Sequence, residues 1–228
     1  MTGILGAMEK EVDGIRGMLR DSRTETAGGL TFTVGFLGNE EIVAAVCGIG
    51  KVFAAVCAQT MILTYSPDRI LNVGVGGALD PELRIGEIVV ADAVVQHDMD
   101  TTALGDPKGL ISGIGLVRLP CDPSFGGELR EAAEAAGLRV SRGVIASGDK
   151  FLSSASEKRE VREEFGASVC EMEGAAVGQV CFSAGVPFCV MRAVSDGAGD
   201  DGELDYFAFC SLAAKNTERV LRRLFPSP

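Results

Sequence analysis

The run Arg69-Ile70-Leu71-Asn72-Val73-Gly74-Val75-Gly76-Gly77-Ala78 decides the architecture. Residues 69–75 are almost continuously apolar and of strand length. Such a strand leaves no polar side for water, so both of its faces must be covered. Residues 188–195 have the same character, and shorter apolar runs at 3–8, 30–36, 42–46, 87–95, 142–147 and 168–172 read as further strands. Stretches with helical spacing separate them, at 12–20, 51–64, 124–136, 153–165, 174–184 and 204–224. This alternation predicts an α/β three-layer sandwich with a mixed, mainly parallel central sheet flanked by helices. The runs 30–36 and 42–46 meet at Gly38-Asn39, which predicts a hairpin and makes the sheet mixed.

No linker rich in proline or serine divides the 228 residues and no internal repeat stands out, so residues 1–228 read as a single domain. Lys and Arg number 21 against 32 Asp and Glu, a net charge of −11. That balance argues against nucleic acid or an anionic membrane as partner, but leaves room for a small nucleoside in a local pocket. The 46% apolar content excludes global disorder. Glu9 and Glu11 interrupt the apolar N-terminus too early for a signal peptide, and no run reaches the ~18 residues a membrane span needs. The seven cysteines lie mostly in hydrophobic runs and form no CxxC pair, and His97 is the sole histidine. We expect reduced core cysteines, a cytoplasmic setting, and neither metal nor cofactor. Residues 103–123 are rich in Gly and Pro, and read equally as a site or subunit-contact loop and as plain surface.

Four places carry polar groups against the grain. Gly6-Ala7-Met8-Glu9-Lys10-Glu11 ends the first strand and opens a helix, at the carboxyl edge where α/β sheets bind ligands. Glutamates there are also ordinary first-turn helix residues. Gly74-Val75-Gly76-Gly77-Ala78 has the wrong spacing for a dinucleotide fingerprint and is followed by Asp80-Pro81. Glu171-Met172-Glu173 sets two carboxylates into a core-like run, where they need an arginine, a ligand or water. In a strand the two glutamates would share one face. Arg192-Ala193-Val194-Ser195-Asp196 loads another apolar strand end with charge. Several strand ends bearing charge or glycine point to one shared pocket.

With Gly48-Ile49-Gly50-Lys51-Val52, Arg84-Ile85-Gly86-Glu87-Ile88, His97-Asp98-Met99-Asp100 and Ser147-Gly148-Asp149-Lys150-Phe151, these segments closely resemble the nucleoside phosphorylase and nucleosidase superfamily. Within it they are most similar to the 5′-methylthioadenosine/S-adenosylhomocysteine nucleosidases. The resemblance runs in order along nearly the whole chain. It implies hydrolysis of the bond between adenine and ribose through an oxocarbenium-like transition state. Asp196 resembles the acid that protonates purine N7, Glu11 the base that activates water, and Glu173 the acceptor of the ribose hydroxyls. By the same resemblance Arg192 helps place the water, Ser195 orients Asp196, and Met172 packs on the ribose. Phe151 stacks on adenine, the Leu152 backbone reads its edge, and Met8, Ile49 and Tyr206 line the sugar and 5′ region.

Two departures stand out. Val75 occupies a position where the family pattern has a serine that holds the water. Thr101 and Leu104 stand where relatives place apolar or aromatic residues from a neighbouring subunit around the 5′ tail. The resemblance also implies a homodimer, built on the helix at 51–64. A carboxylate at position 11 would repel phosphate, which favours a hydrolase over a purine nucleoside phosphorylase. A nucleoside-binding module without turnover is the other alternative.

Overall fold

A computed structural model describes the backbone of residues 1–199 and 202–226, and their side chains except at 202–208 and 210. Strands β1 (Thr2–Gly6), β4 (Glu40–Val46), β5 (Arg69–Ala78) and β10 (Phe188–Asp196) run parallel to one another, in the order β4–β1–β5–β10, at the heart of the sheet. All of β10 is buried, its apolar first half as expected and Arg192, Ser195 and Asp196 along with it. Strands β6 (Ile88–Gln96), β8 (Val140–Ser147) and β9 (Ala167–Glu171) form a second parallel group. Antiparallel pairings of β10 with β6 and of β5 with β9 join the groups. The pairings β5–β10–β6–β8–β9–β5 therefore close a ring, a barrel within the larger sheet.

The hairpin predicted at Gly38-Asn39 joins β3 (Leu30–Leu37) to β4. Beyond it lies β2 (Arg20–Ala27), which the periodicity does not predict. Its sequence RDSRTETA has no apolar face to bury, and it holds its place only by pairing with β3 at the sheet's edge. Asp21 in a left-handed conformation (φ 50°) accompanies a break in that ladder between Arg20 and Arg23. The two-residue β7 (Leu119–Pro120) borders β6.

The six expected helices are α1 (Glu9–Met18), α2 (Lys51–Tyr65), α3 (Pro123–Ala135), α4 (Ala155–Phe165), α5 (Gly174–Ala184) and α6 (Gly202–Leu224). Asp122 caps α3 and Ser154 caps α4 by accepting from backbone N–H groups of the first turn. Helix α2 is apolar on both sides. It buries Ala54, Cys57, Ala58 and Met61 as it packs on α5 and the sheet, yet leaves Val52 and Leu63 72% and 75% exposed. No described helix is long and apolar enough to cross a membrane.

Strand β5 positions the site. Its first half pairs with β1, up to Leu5 opposite Asn72. At Gly77 and Ala78 the same edge pairs with β9. Between these contacts β5 has no strand partner on that side, and a backbone N–H left there needs another acceptor.

Candidate active site

Glu11 supplies that acceptor. Strand β1 stops at Gly6, and the chain turns through Ala7 and Met8 into α1, which places Glu11 in the first turn. Its Oε2 accepts from the backbone N of Ala7 at 2.8 Å and of Met8 at 2.9 Å. Oε1 crosses to β5 and accepts from Val75 N at 3.0 Å. The glycines on both sides make this approach possible. A Cβ on Gly74 would stand 2.7 Å from Glu11 Oε1, and one on Gly6 would stand 2.7 Å from Val12 Cγ2. Burial raises the proton affinity of Glu11 above that of an ordinary carboxylate, against the pull of Arg192 and the three N–H groups. Such a group can take a proton from water near neutral pH.

The two glutamates at the end of β9 do different work. Glu171 turns inward, where Arg192 Nη2 and Ser147 Oγ donate to it and Gly174 N donates at 2.7 Å, capping α5. The chain leaves the strand after Glu171, so Glu173 does not share its face. Glu173 Oε1 instead accepts from Gly50 N at 2.8 Å, at the start of α2. Gly50 takes φ 100° there, a conformation open to glycine. Burial and then the neighbouring Glu171 push the Glu173 carboxyl up to about 7. Asp149 Oδ1 accepts from Lys51 N at 2.8 Å, so the Ser147-Gly148-Asp149 and Gly48-Ile49-Gly50 motifs are tied together at one helix N-terminus.

Arg192 is 1% exposed and lies behind the cavity wall. Its Nη1 donates to Asn72 O at 3.2 Å, and Nη2 reaches Asn72 Oδ1 and Glu171. Burial works against its charge, but Glu171, Glu173 and Glu11 outweigh that and raise its proton affinity. It thus offsets part of the charge of a three-carboxylate cluster from the rear.

At the end of β10, Asp196 is 2% exposed. Oδ1 accepts from Ser195 Oγ at 2.7 Å, and Oδ2 accepts from Lys158 Nζ at 2.7 Å. Gly77 gives this carboxylate its room, since a Cβ there would stand 3.0 Å from Oδ2. Sequence reasoning missed Lys158 and gave Glu171, Ser147 and Asn72 no separate role. The signal for Lys158 was its place on the inward stripe of α4 with Val161 and Phe165, where a charge is out of pattern.

A cavity of about 530 Å³ opens between these strand ends, a size suited to a small ligand. Glu11, Glu173, Ser195 and Asp196 line it, as do Met8, Ile49, Phe151, Leu152 and Met172. Phe151 is 45% exposed at the mouth. Val75 contributes apolar surface beside Glu11, and its backbone N–H takes the contact just described. Arg192, Thr101 and Leu104 are not on the wall. Thr101 precedes a short 3-10 turn (Thr102–Leu104), and Leu104 is 82% exposed. Tyr206 falls outside the described side chains. His97 is buried and is not on the cavity wall, and its Nε2 has no hydrogen-bond partner; the neighbouring Asp98 pairs with Lys51 Nζ at 2.6 Å.

A family model described as "Phosphorylase superfamily" matches residues 2–226. A 5′-methylthioadenosine/S-adenosylhomocysteine nucleosidase of Marinomonas sp. (strain MWYL1) is 35% identical, over 97% of this chain and 96% of its own. The solved futalosine hydrolase of Helicobacter pylori strain 26695 superposes with a TM-score of 0.93 at 36% identity, over 98% of this chain and 96% of that one. The Neisseria meningitidis 5′-methylthioadenosine/S-adenosylhomocysteine nucleosidase in complex with methylthio-immucillin-A superposes with a TM-score of 0.94 at 32% identity, over 98% and 97%. By a match that spans almost every residue, together with these relatives, the chain belongs to the phosphorylase superfamily.

Proposed function

We propose that this protein hydrolyses the N-glycosidic bond of a 5′-substituted adenosine, such as 5′-methylthioadenosine or S-adenosylhomocysteine, to adenine and the 5-substituted ribose. The observation that carries this reading is the convergence of Glu11, Glu173 and Asp196 on one small, mostly apolar cavity. As the bond breaks, the base gains negative charge and the sugar gains positive charge. Asp196 protonates the purine at N7. Glu173 accepts hydrogen bonds from the ribose hydroxyls and steadies the cation, and Met172 packs beside the sugar. Glu11 takes a proton from the attacking water. Arg192 acts from behind, holding the carboxylate cluster in place through Glu171 and Asn72. Phe151 covers the adenine, and Leu152 closes the pocket beneath it.

Names among the relatives support the enzyme class, and they include nucleosidases for two kinds of 5′ substituent. The test is adenine release from 5′-methylthioadenosine with and without inorganic phosphate. We expect the same rate in both, with free 5-methylthioribose as the sugar product. Release that requires phosphate and yields a sugar phosphate would make the protein a phosphorylase, and tight nucleoside binding without release would make it a binding module.

The working unit we propose is a homodimer. Val52, Phe53, Val56 and Leu63 form an exposed apolar stripe on α2, beside the cavity mouth at Ile49. Soluble monomers seldom leave such a stripe uncovered. Thr101 and Leu104 would then approach the 5′ end of the substrate bound to the other copy. Light scattering at micromolar concentration is expected to give twice the chain mass, and Val52→Glu to shift it toward one chain mass. A wild-type monomer would end this part of the reading.

A further inference from the structure

Lys158 is a lysine 1% exposed, on a helix stripe that otherwise buries Val161 and Phe165. A buried ammonium is costly unless its partners compensate it, so the partners define its work. Nζ donates to Asp196 Oδ2 at 2.7 Å and to the Gly197 carbonyl at 2.7 Å. With Ser195 Oγ on Oδ1, both oxygens of Asp196 are hydrogen-bonded. Ser195 Oγ also lies 3.3 Å from Gly76 O and can donate or accept, so it is the Lys158 ammonium on Oδ2 that marks Asp196 as a carboxylate. The group assigned to protonate the purine therefore stands in the free protein as the anion of an ion pair, and the neighbouring mobile proton is on Lys158.

We propose that Lys158 is a positioning residue that supplies, through Asp196, the proton taken up by the departing purine. The inference rests on the nucleosidase reading above. When the C1′–N9 bond breaks, its electron pair passes to the purine, and N7 takes a proton from Asp196. Oδ2 of Asp196 takes its proton from Lys158 Nζ, which leaves a neutral amine beside a carboxylate. Water adds hydroxide to C1′ and gives its other proton to Glu11, from which it returns through solvent to Lys158. One water is consumed and no net proton.

The surroundings of Asp196 suit this transfer. Strand β9 brings Cys170, whose thiol burial pushes up to about 12, so it remains neutral. Strand β10 brings the Ser195 hydroxyl, and β5 brings Gly77 without a side chain. On the rim, Lys150 is engaged with Glu157. Among the described residues, Lys158 is the cation in contact with Asp196.

The experiment compares Lys158→Met, Lys158→Arg and Asp196→Asn in the full chain, measuring kcat and KM for adenine release from 5′-methylthioadenosine across about pH 5 to 9. Adenine binding and thermal melting report on the fold. The Met variant is expected to lose about 10²-fold in kcat near neutrality with KM little changed, and to regain part of it in acid, where solvent protonates the unpaired carboxyl. Arginine keeps the charge and the hydrogen bond but does not release its proton. The Arg variant should therefore stay nearly as slow as the Met variant. Near wild-type kcat in the Arg variant would overturn the proposal and leave Lys158 a counterion. A loss in the Met variant that is absent, or equal at every pH, would overturn it too. If the Met variant does not fold, the Arg variant decides alone. Turnover retained by Asp196→Asn would instead strike at the underlying reading, whereas an inactive Asn variant beside active lysine variants would remove Lys158 only.

Discussion

Asp196→Asn is expected to lower kcat for adenine release by about 10³-fold or more while leaving nucleoside binding largely intact. General acid catalysis contributes about 10²–10⁴-fold, and an amide has no proton to donate at that position with comparable acidity. The replacement is nearly isosteric, so the cavity keeps its shape. The amide oxygen can still accept from Lys158 or from Ser195, but not from both. It cannot neutralise the ammonium 2.7 Å away. Breaking a buried ion pair from one side costs about 3–5 kcal/mol when the survivor stays charged. The lysine can soften that cost by giving up its proton. A lower melting temperature should accompany the loss of turnover, and adenine titration calorimetry would separate the two effects. An unchanged kcat would remove Asp196 from the mechanism.

Glu11→Gln should reduce hydrolysis by a comparable factor for a different reason. The carboxylate is the base, and it also receives three backbone N–H groups on two oxygens. Glutamine has one oxygen. Its NH2 group must face either Val75 N or the pair at Ala7 and Met8, donor against donor. Leaving a buried donor unsatisfied costs about 1–3 kcal/mol. The variant therefore loses the base and loosens the β1–α1 turn against β5. Glu11→Asp separates these contributions, since it keeps the charge on a shorter arm. We expect the Asp variant to retain more activity than the Gln variant in single-turnover adenine release. Near-normal turnover with Gln would assign the water to another group.

The buried strands and the six helices were legible in the sequence because their hydrophobic periodicity is strong. Strand β2 was not, because its residues carry no apolar alternation and its place is set by a partner. The pocket could be read from charged strand ends, yet the division of labour within Glu171-Met172-Glu173 could not. Strand geometry predicts a shared face for the two glutamates, whereas β9 stops at Glu171. Once the chain bends there, Glu171 caps α5 and binds Arg192 while Glu173 turns to Gly50. Lys158 was hidden for a similar reason. In Ser156-Glu157-Lys158-Arg159-Glu160 it is one charge among several, and its meaning comes from Asp196, 38 positions away.

The interrupted edge of β5 bears on how this scaffold could change its chemistry. The main-chain amide of Val75 and those of Ala7 and Met8 form a small nest of donors aimed at one spot, and a glutamate side chain now fills it. Were position 11 uncharged, the same donors would welcome a free oxyanion arriving from solution. The protein's own carboxylate and an inorganic anion are then rival tenants of a single vacancy in the sheet, and whichever holds it decides whether water or the anion attacks.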